Sequence, residues 1–208
     1  MGNLFVSKHP LVAHKLSIMR DKNTSNDVFR AMLYEISSLM CYEVTRDLLT
    51  DDYELETPLQ RTIGKKLADK IVVVPILRAG LGMIDGFLKL IPNISVGHIG
   101  LYRDHETHLP IKYYCNLPRH APKSEIIVVD PMLATGGSAA DAIDMLKSEG
   151  CERIRFLCLV SAPEGIELLQ KRHPDVDIYT CALDEKLNEN AYILPGLGDA
   201  GDRIFGTD

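Results

Sequence analysis

No stretch of this 208-residue chain approaches the ~20 consecutive apolar residues that a helix needs to cross a bilayer. No run is rich in lysine and arginine, and 23 basic against 29 acidic side chains leave a formal charge of -6. Both features disfavour non-specific nucleic-acid binding, which wants a basic face. They leave anionic substrates open, because a local nest of N–H groups and arginines overrides a mildly acidic whole. The five cysteines (Cys41, Cys115, Cys151, Cys158 and Cys181) are odd in number and contain no CxxC pair. The apolar run Met1 to Val6 is too short for a secretory signal. A reduced, cytoplasmic protein is expected, with most cysteines as small core residues and Cys115 the most exposed. Internal repeats and low-complexity linkers are absent too. With 46% apolar and 25% charged residues, the chain reads as one globular domain over 1–208.

Several signatures of nucleotide and hydrolase chemistry are also missing. There is no Gx4GK[ST] loop and no GxSxG elbow. Gly196-Leu197-Gly198-Asp199-Ala200-Gly201 matches GxGxxG in letters, but it lies too near the end of the sequence for the helix, strand and acid of a dinucleotide unit. Gly80-Leu81-Gly82 follows a strand-like run, yet Asp85 stands where the third glycine belongs. His105 and His108 are three apart with Glu106 between them, and no further ligand pair supports a zinc site.

What is present centres on Ile126 to Ser138. Four β-branched residues, Ile126-Ile127-Val128-Val129, suit a strand buried on both faces. Asp130-Pro131-Met132-Leu133-Ala134-Thr135-Gly136-Gly137-Ser138 follows, and a helical spacing of Ala139, Ile143 and Leu146 comes next. The glycines permit backbone angles that a Cβ forbids. Thr135 and Ser138 supply hydroxyls, and the unpaired N–H groups of the coming helix favour an anion. Strand, acid, hydroxyl–glycine turn and helix together describe a phosphate cradle with a carboxylate at its entrance.

Strand-like runs recur at 71–77, 94–101, 125–130, 154–161 and 176–182, alternating mainly with helices. That order predicts an α/β fold with a doubly wound, mainly parallel sheet. An N-terminal segment, 1–69, carries helices over 9–20 and 26–49 and then a polar loop or short hairpin. The second of these helices packs on the sheet or serves as a dimer arm. The core sheet occupies 70–185. Within it, 102–118 reads as a protruding β-hairpin arm: a lid, a dimer contact or a plain surface hairpin. Arg78, Arg103 and Asp130 all fall at predicted strand ends, where ligands bind on such sheets.

The cradle sequence resembles that of type I phosphoribosyltransferases, and more narrowly the uracil phosphoribosyltransferase family. Further blocks extend the likeness over nearly the whole chain: His9-Pro10-Leu11-Val12, Val73 to Met83, Ala162-Pro163-Glu164-Gly165-Ile166, His173-Pro174-Asp175-Val176, Asn188-Glu189 and Tyr192 to Arg203. The resemblance implies transfer of a phosphoribosyl group from phosphoribosyl diphosphate to uracil N1. Residues 130–138 (Asp130, Pro131, Met132, Leu133, Ala134, Thr135, Gly136, Gly137, Ser138), with Arg78, Arg103 and Asp199, would hold phosphoribosyl diphosphate. Arg78, Arg103 and Asp130 would be catalytic. The C-terminal segment 186–208 would bind uracil through Ile193, Gly198, Asp199 and Ala200. Most type I enzymes carry two adjacent acids before the loop, whereas here Pro131 follows Asp130, the uracil family's own pattern. Mg2+ is therefore expected to arrive with the substrate, held through Asp199 or water, with no metal bound tightly by the protein. GTP activation and a homodimer or higher homo-oligomer are further expectations; no membrane or nucleic-acid partner is expected.

Overall fold

The computed structural model describes residues 2–103 and 110–207, and the side chains of these except 101–103 and 110–112. In chain order the elements are β1 (Leu4–Val6), α1 (Pro10–Arg20), α2 (Asn26–Val44), β2 (Thr50–Glu56), β3 (Arg61–Leu67), β4 (Ile71–Leu77), a 3-10 turn (Ala79–Met83) and α3 (Ile84–Leu90). Then come β5 (Ser95–Val96), β6 (His98–Arg103), β7 (Pro110–Asn116), β8 (Glu125–Val129), β9 (Met132–Leu133), α4 (Gly137–Ser148) and β10 (Ile154–Ser161). The last are α5 (Pro163–Arg172), β11 (Asp177–Leu183), β12 (Lys186–Leu187), β13 (Ile193–Leu194) and α6 (Ala200–Phe205).

The main sheet runs β1-β11-β10-β8-β4-β6-β7, parallel except for the β6–β7 pair. Both faces are covered, so the central strands run apolar over most positions, with Glu125 and Arg155 near their starts, instead of alternating. Ile71, Val73, Ile127, Val129 and Leu157 face Phe29, Leu33, Ile36 and Met40 of α2 and Phe87 of α3. Val72, Val74, Ile126, Val128 and Phe156 face Ala139, Ile143 and Leu146 of α4 and Ile166 and Leu169 of α5. This is the expected doubly wound α/β sheet.

Strands 71–77 and 154–161 coincide with the sequence reading, and the other boundaries move for local reasons. The run 94–101 is divided into β5 and β6 at Gly97, where a Cβ would come within 2.7 Å of the Leu117 side chain. The helix expected to reach residue 49 stops at Val44, where the Thr45 hydroxyl donates to the Cys41 carbonyl (2.7 Å). Residues 50–67 form a hairpin that is its own two-stranded sheet with mostly exposed side chains. The other hairpin, expected as an arm over 102–118, continues the main sheet: β6 pairs with β4, and β7 pairs with β6. Residues 104–109, with His105 and His108, lie outside the described residues. The short run at Leu4 to Val6 becomes a parallel edge strand, with Phe5 stacked on Tyr179 at 4.6 Å. Cys41, Cys151, Cys158 and Cys181 are buried, and Cys115 is half-buried.

Candidate active site

Parallel pairing carries the carboxyl ends of β4, β6, β8 and β10 to one edge. Pro75 sits opposite Val129, Leu77 opposite Gly100, and Leu157 opposite Val129. Arg78 therefore leaves β4 beside the point where Asp130 leaves β8. Arg103 closes β6 on the other side of β4, and its side chain is not among those described.

Asp130 follows four fully buried residues. Its carboxylate accepts the Met132 N–H at a long 3.4 Å. Poor access to water dominates, and pushes its pKa from 3.8 to about 7. Beyond it the chain makes two residues of strand, β9, against Val160 and Ser161, which holds the loop close to the sheet. Gly136 then turns through φ +82° and opens α4, whose first N–H groups have no intrahelical partner. Asp130, Met132, Leu133, Ala134, Thr135, Gly136, Ser138 and Ala139 line a hollow of about 90 Å³. That is the liquid volume of roughly three waters, on the scale of one phosphate group. A wider hollow of about 820 Å³, between β1 and α2, has no glycine turn in its lining.

The reason for the block at 162–166 emerges only in three dimensions. A Cβ on Gly165 would lie 2.5 Å from the Ala134 carbonyl oxygen and 2.7 Å from that of Leu133. The cradle therefore rests directly on the backbone of α5. The neighbouring Glu164 accepts the Leu187 N–H (3.0 Å), which holds its carboxyl below the usual range. Leu187 pairs with Ile193, so one dipeptide ties the cradle to the C-terminal segment.

The Arg78 side chain is exposed and makes no hydrogen bond or ion pair among the described residues, while its carbonyl accepts the Leu81 N–H (3.1 Å). The turn after it is tightly seated: a Cβ on Gly80 would lie 2.5 Å from the Val129 carbonyl oxygen, and one on Gly82 3.2 Å from Ile204. The C-terminal segment thus packs on the turn that carries Arg78. Ile193 and Ala200 are buried, Gly198 is exposed at φ +77°, and Asp199 caps α6 by accepting the Asp202 N–H (3.0 Å). Sequence reasoning missed α6 and the arginines that secure it. Arg30 donates to the Ile204 carbonyl (2.9 Å), and Arg203 to those of Leu197 and Asp21 (both 2.8 Å). Apart from Leu197, their partners are carbonyls 174 and 182 residues away in sequence, which no spacing reveals.

A doubly wound sheet with a strand–acid–glycine loop–helix cradle at its carboxyl edge is the architecture of type I phosphoribosyltransferases. The adenine phosphoribosyltransferase of Trypanosoma brucei shares this fold, with a TM-score of 0.58 at 11% identity over 92% of this chain and 88% of that one. A solved protein from Aquifex aeolicus is much closer, with a TM-score of 0.89 and 36% identity over 97% of both chains. A curated relative from Finegoldia magna, named uracil phosphoribosyltransferase, is 58% identical over the full length of both chains. The family model described as uracil phosphoribosyltransferase matches residues 6–207. The chain belongs to the uracil phosphoribosyltransferase family.

Proposed function

We propose that the cradle binds the 5-phosphate of phosphoribosyl diphosphate and that residues 193–200 present uracil to its C1. The bond from C1 to the diphosphate oxygen breaks, the bond from uracil N1 to C1 forms, and the N1 proton is lost. Uridine monophosphate and diphosphate leave, a salvage reaction suited to a cytoplasmic protein. The observation that carries this reading is the half-buried, poorly hydrated Asp130 carboxyl beside a phosphate-sized hollow at a helix N-terminus. Once ionised, it favours the positive charge that builds on the ribose as the leaving group departs. Arg78 and Arg103 offset the charge gathering on the diphosphate.

Magnesium enters this scheme as part of the substrate. No three His, Cys, Asp or Glu side chains converge on a metal-sized site among the described residues. Next to the cradle Asp130 stands alone, with Pro131 in place of a second acid. Such a donor set suits a cation already chelated by diphosphate. Asp199 uses one oxygen to cap α6, so any contact with the metal falls to its other oxygen or to water.

Diphosphate release, measured with phosphoribosyl diphosphate, magnesium and each nucleobase in turn, tests the proposal. Turnover with uracil, abolished or sharply reduced in Asp130→Asn, supports it; absence of uracil-dependent turnover with or without GTP overturns it. The same assay reads the GTP activation that the family resemblance implies, and light scattering reads the symmetric dimer. No helix among the described residues is long and apolar enough to cross a membrane.

Gly165→Ala gives a sharper test of the cradle. The added methyl meets two backbone oxygens that cannot swing aside. Overpacking of this kind costs about 1–3 kcal/mol. The expected kinetic result is a rise of about tenfold in KM for phosphoribosyl diphosphate, since small misplacements of binding groups are costly. KM for uracil should change far less, unless the shift travels through Glu164.

A further inference from the structure

We propose that Arg20 and Asp184 are positioning residues for base recognition: together they clamp both main-chain groups of Gly196 and so set the peptide planes of the uracil segment. The proposal rests on the reading of 193–200 as that segment. Arg20 is the last residue of α1, and Asp184 follows β11; neither belongs to the stretches that suggested the function.

The two form a fork-to-fork pair. Arg20 Nη1 donates to Asp184 Oδ2 (2.8 Å) and Nη2 donates to Oδ1 (2.6 Å). The Asp184 side chain is only 5% exposed, so the pair is largely shielded from water. Both members hold the same glycine as well. Arg20 Nη1 donates to the Gly196 carbonyl (2.6 Å), and the Gly196 N–H donates to Asp184 Oδ2 (3.0 Å). One residue thus has its acceptor on the cation and its donor on the anion of a single ion pair. Gly196 sits at φ +62°, and a Cβ there would meet the Ile193 carbonyl oxygen at 2.1 Å. The clamped position is one that no side chain fits.

A second arginine works in the opposite sense. Arg203, from α6, lies over the Phe29 ring (4.4 Å) and donates to the carbonyls of Leu197 and Asp21 (both 2.8 Å) and of Met19. The consecutive carbonyls of Gly196 and Leu197 are therefore each held by a guanidinium, one reaching out from α1 and one reaching back to it. A small planar base read by main-chain N–H and C=O groups needs those groups aimed before it arrives, which is how preorganisation contributes to binding. The phosphate cradle is built on α4 and α5, and its tie to this segment runs through Glu164 and Leu187, not through Gly196.

Lysine at position 20 keeps the charge but loses the planar fork, so it cannot hold both carboxylate oxygens and the Gly196 carbonyl together. Arg20→Lys is expected to raise KM for uracil about tenfold, with KM for phosphoribosyl diphosphate within about twofold and kcat within about threefold of the unsubstituted protein. Asp184→Asn should give the same split, and carries the test if Arg20→Lys melts below the assay temperature. Two controls separate the failures. Arg153→Lys alters a more exposed guanidinium, bonded to Asp69 (2.8 Å) and the Lys123 carbonyl (2.9 Å) and paired with Glu125 (3.1 Å), and should move neither KM. Gly198→Ala adds a methyl that meets nothing nearer than Arg203 at 3.6 Å but is strained at φ +77°, so it disturbs the segment locally and should raise KM for uracil if this segment binds the base. A normal uracil KM in Arg20→Lys beside a raised one in Gly198→Ala overturns the clamp alone. Equal effects of Arg20→Lys and Arg153→Lys, or equal shifts in both substrates' KM, reduce it to a generic structural pair. A normal uracil KM in Gly198→Ala removes the base-site reading and the clamp with it.

Discussion

Asp130→Asn is expected to lose about 10²–10³-fold in kcat/KM, on the scale seen when a preorganised electrostatic group is removed, and yet to melt higher than the unsubstituted protein above neutral pH. Both effects come from one feature. The carboxyl is placed where water reaches it poorly, with a single long hydrogen bond from Met132 in return. A negative charge there is unfavourable without a positive charge beside it, which in the proposed reaction the ribose supplies. The folded protein holds this proton up to about pH 7, whereas an unfolded chain releases it near 3.8. Between those values the folded state binds more protons, so stability falls as pH rises. Below 3.8 the carboxyl is neutral in both states, and above 7 the loss is complete.

A rise from 3.8 to about 7 caps the effect at roughly 4 kcal/mol. Asp130 is half-buried, and partial access to water reduces this to on the order of 2 kcal/mol. At about 2–4 °C per kcal/mol for a chain of this size, Asn should raise the melting temperature by roughly 4–8 °C at pH 8. The gain should vanish towards pH 4. A thermal scan across pH reads it directly, and a variant that melts lower at pH 8 would contradict the burial argument. Kinetics provide the second reading. If the ionised form does the work, kcat/KM for phosphoribosyl diphosphate falls as pH drops through about 7, and the variant's small residual rate lacks that dependence.

How far the sequence disclosed this site depends on whether its chemistry is local. Asp130, the glycine turn and α4 are contiguous, so the cradle could be read as one strand-to-helix sentence. Arg78 could be found because a buried strand ends just before it. The supports of the site could not. Gly165 matters because two carbonyls from thirty residues earlier rest on it. Arg20 and Asp184 lie 164 positions apart. Gly198 could be singled out as a glycine, but that its neighbour Gly196 is held at both ends needed the fold. Boundaries moved for the same reason. Gly97 divides a strand because of where Leu117 lies, and Leu4 to Val6 becomes a strand because β11 offers it an open edge. The two-stranded sheet at 50–67 is largely exposed, so the sequence leaves loop and short hairpin open there, and the structure has the hairpin.

Arg78→Ala is the second substitution of large expected effect, and the cleaner one to interpret. The side chain is exposed and has no partner among the described residues, so its removal should change stability by no more than about 0.5 kcal/mol. The backbone that carries it is held independently: Gly80 against the Val129 carbonyl and Gly82 against Leu33 and Ile204. On the proposed reading, a fixed turn that leaves the Arg78 side chain unpaired among the described residues, at the carboxyl edge of the sheet, serves charge that develops during reaction. Its loss should appear in kcat, about 10²–10³-fold, because the negative charge on diphosphate is greatest as its bond to C1 lengthens. KM for uracil should change little. Lysine should recover part of the rate, since a point charge still attracts the leaving group but cannot grip two of its oxygens in one plane. If Arg78→Ala instead raised only KM for phosphoribosyl diphosphate at constant kcat, Arg78 would bind ground state and transition state alike. The burden of offsetting the leaving group's charge would then pass to Arg103 and the magnesium that the substrate brings.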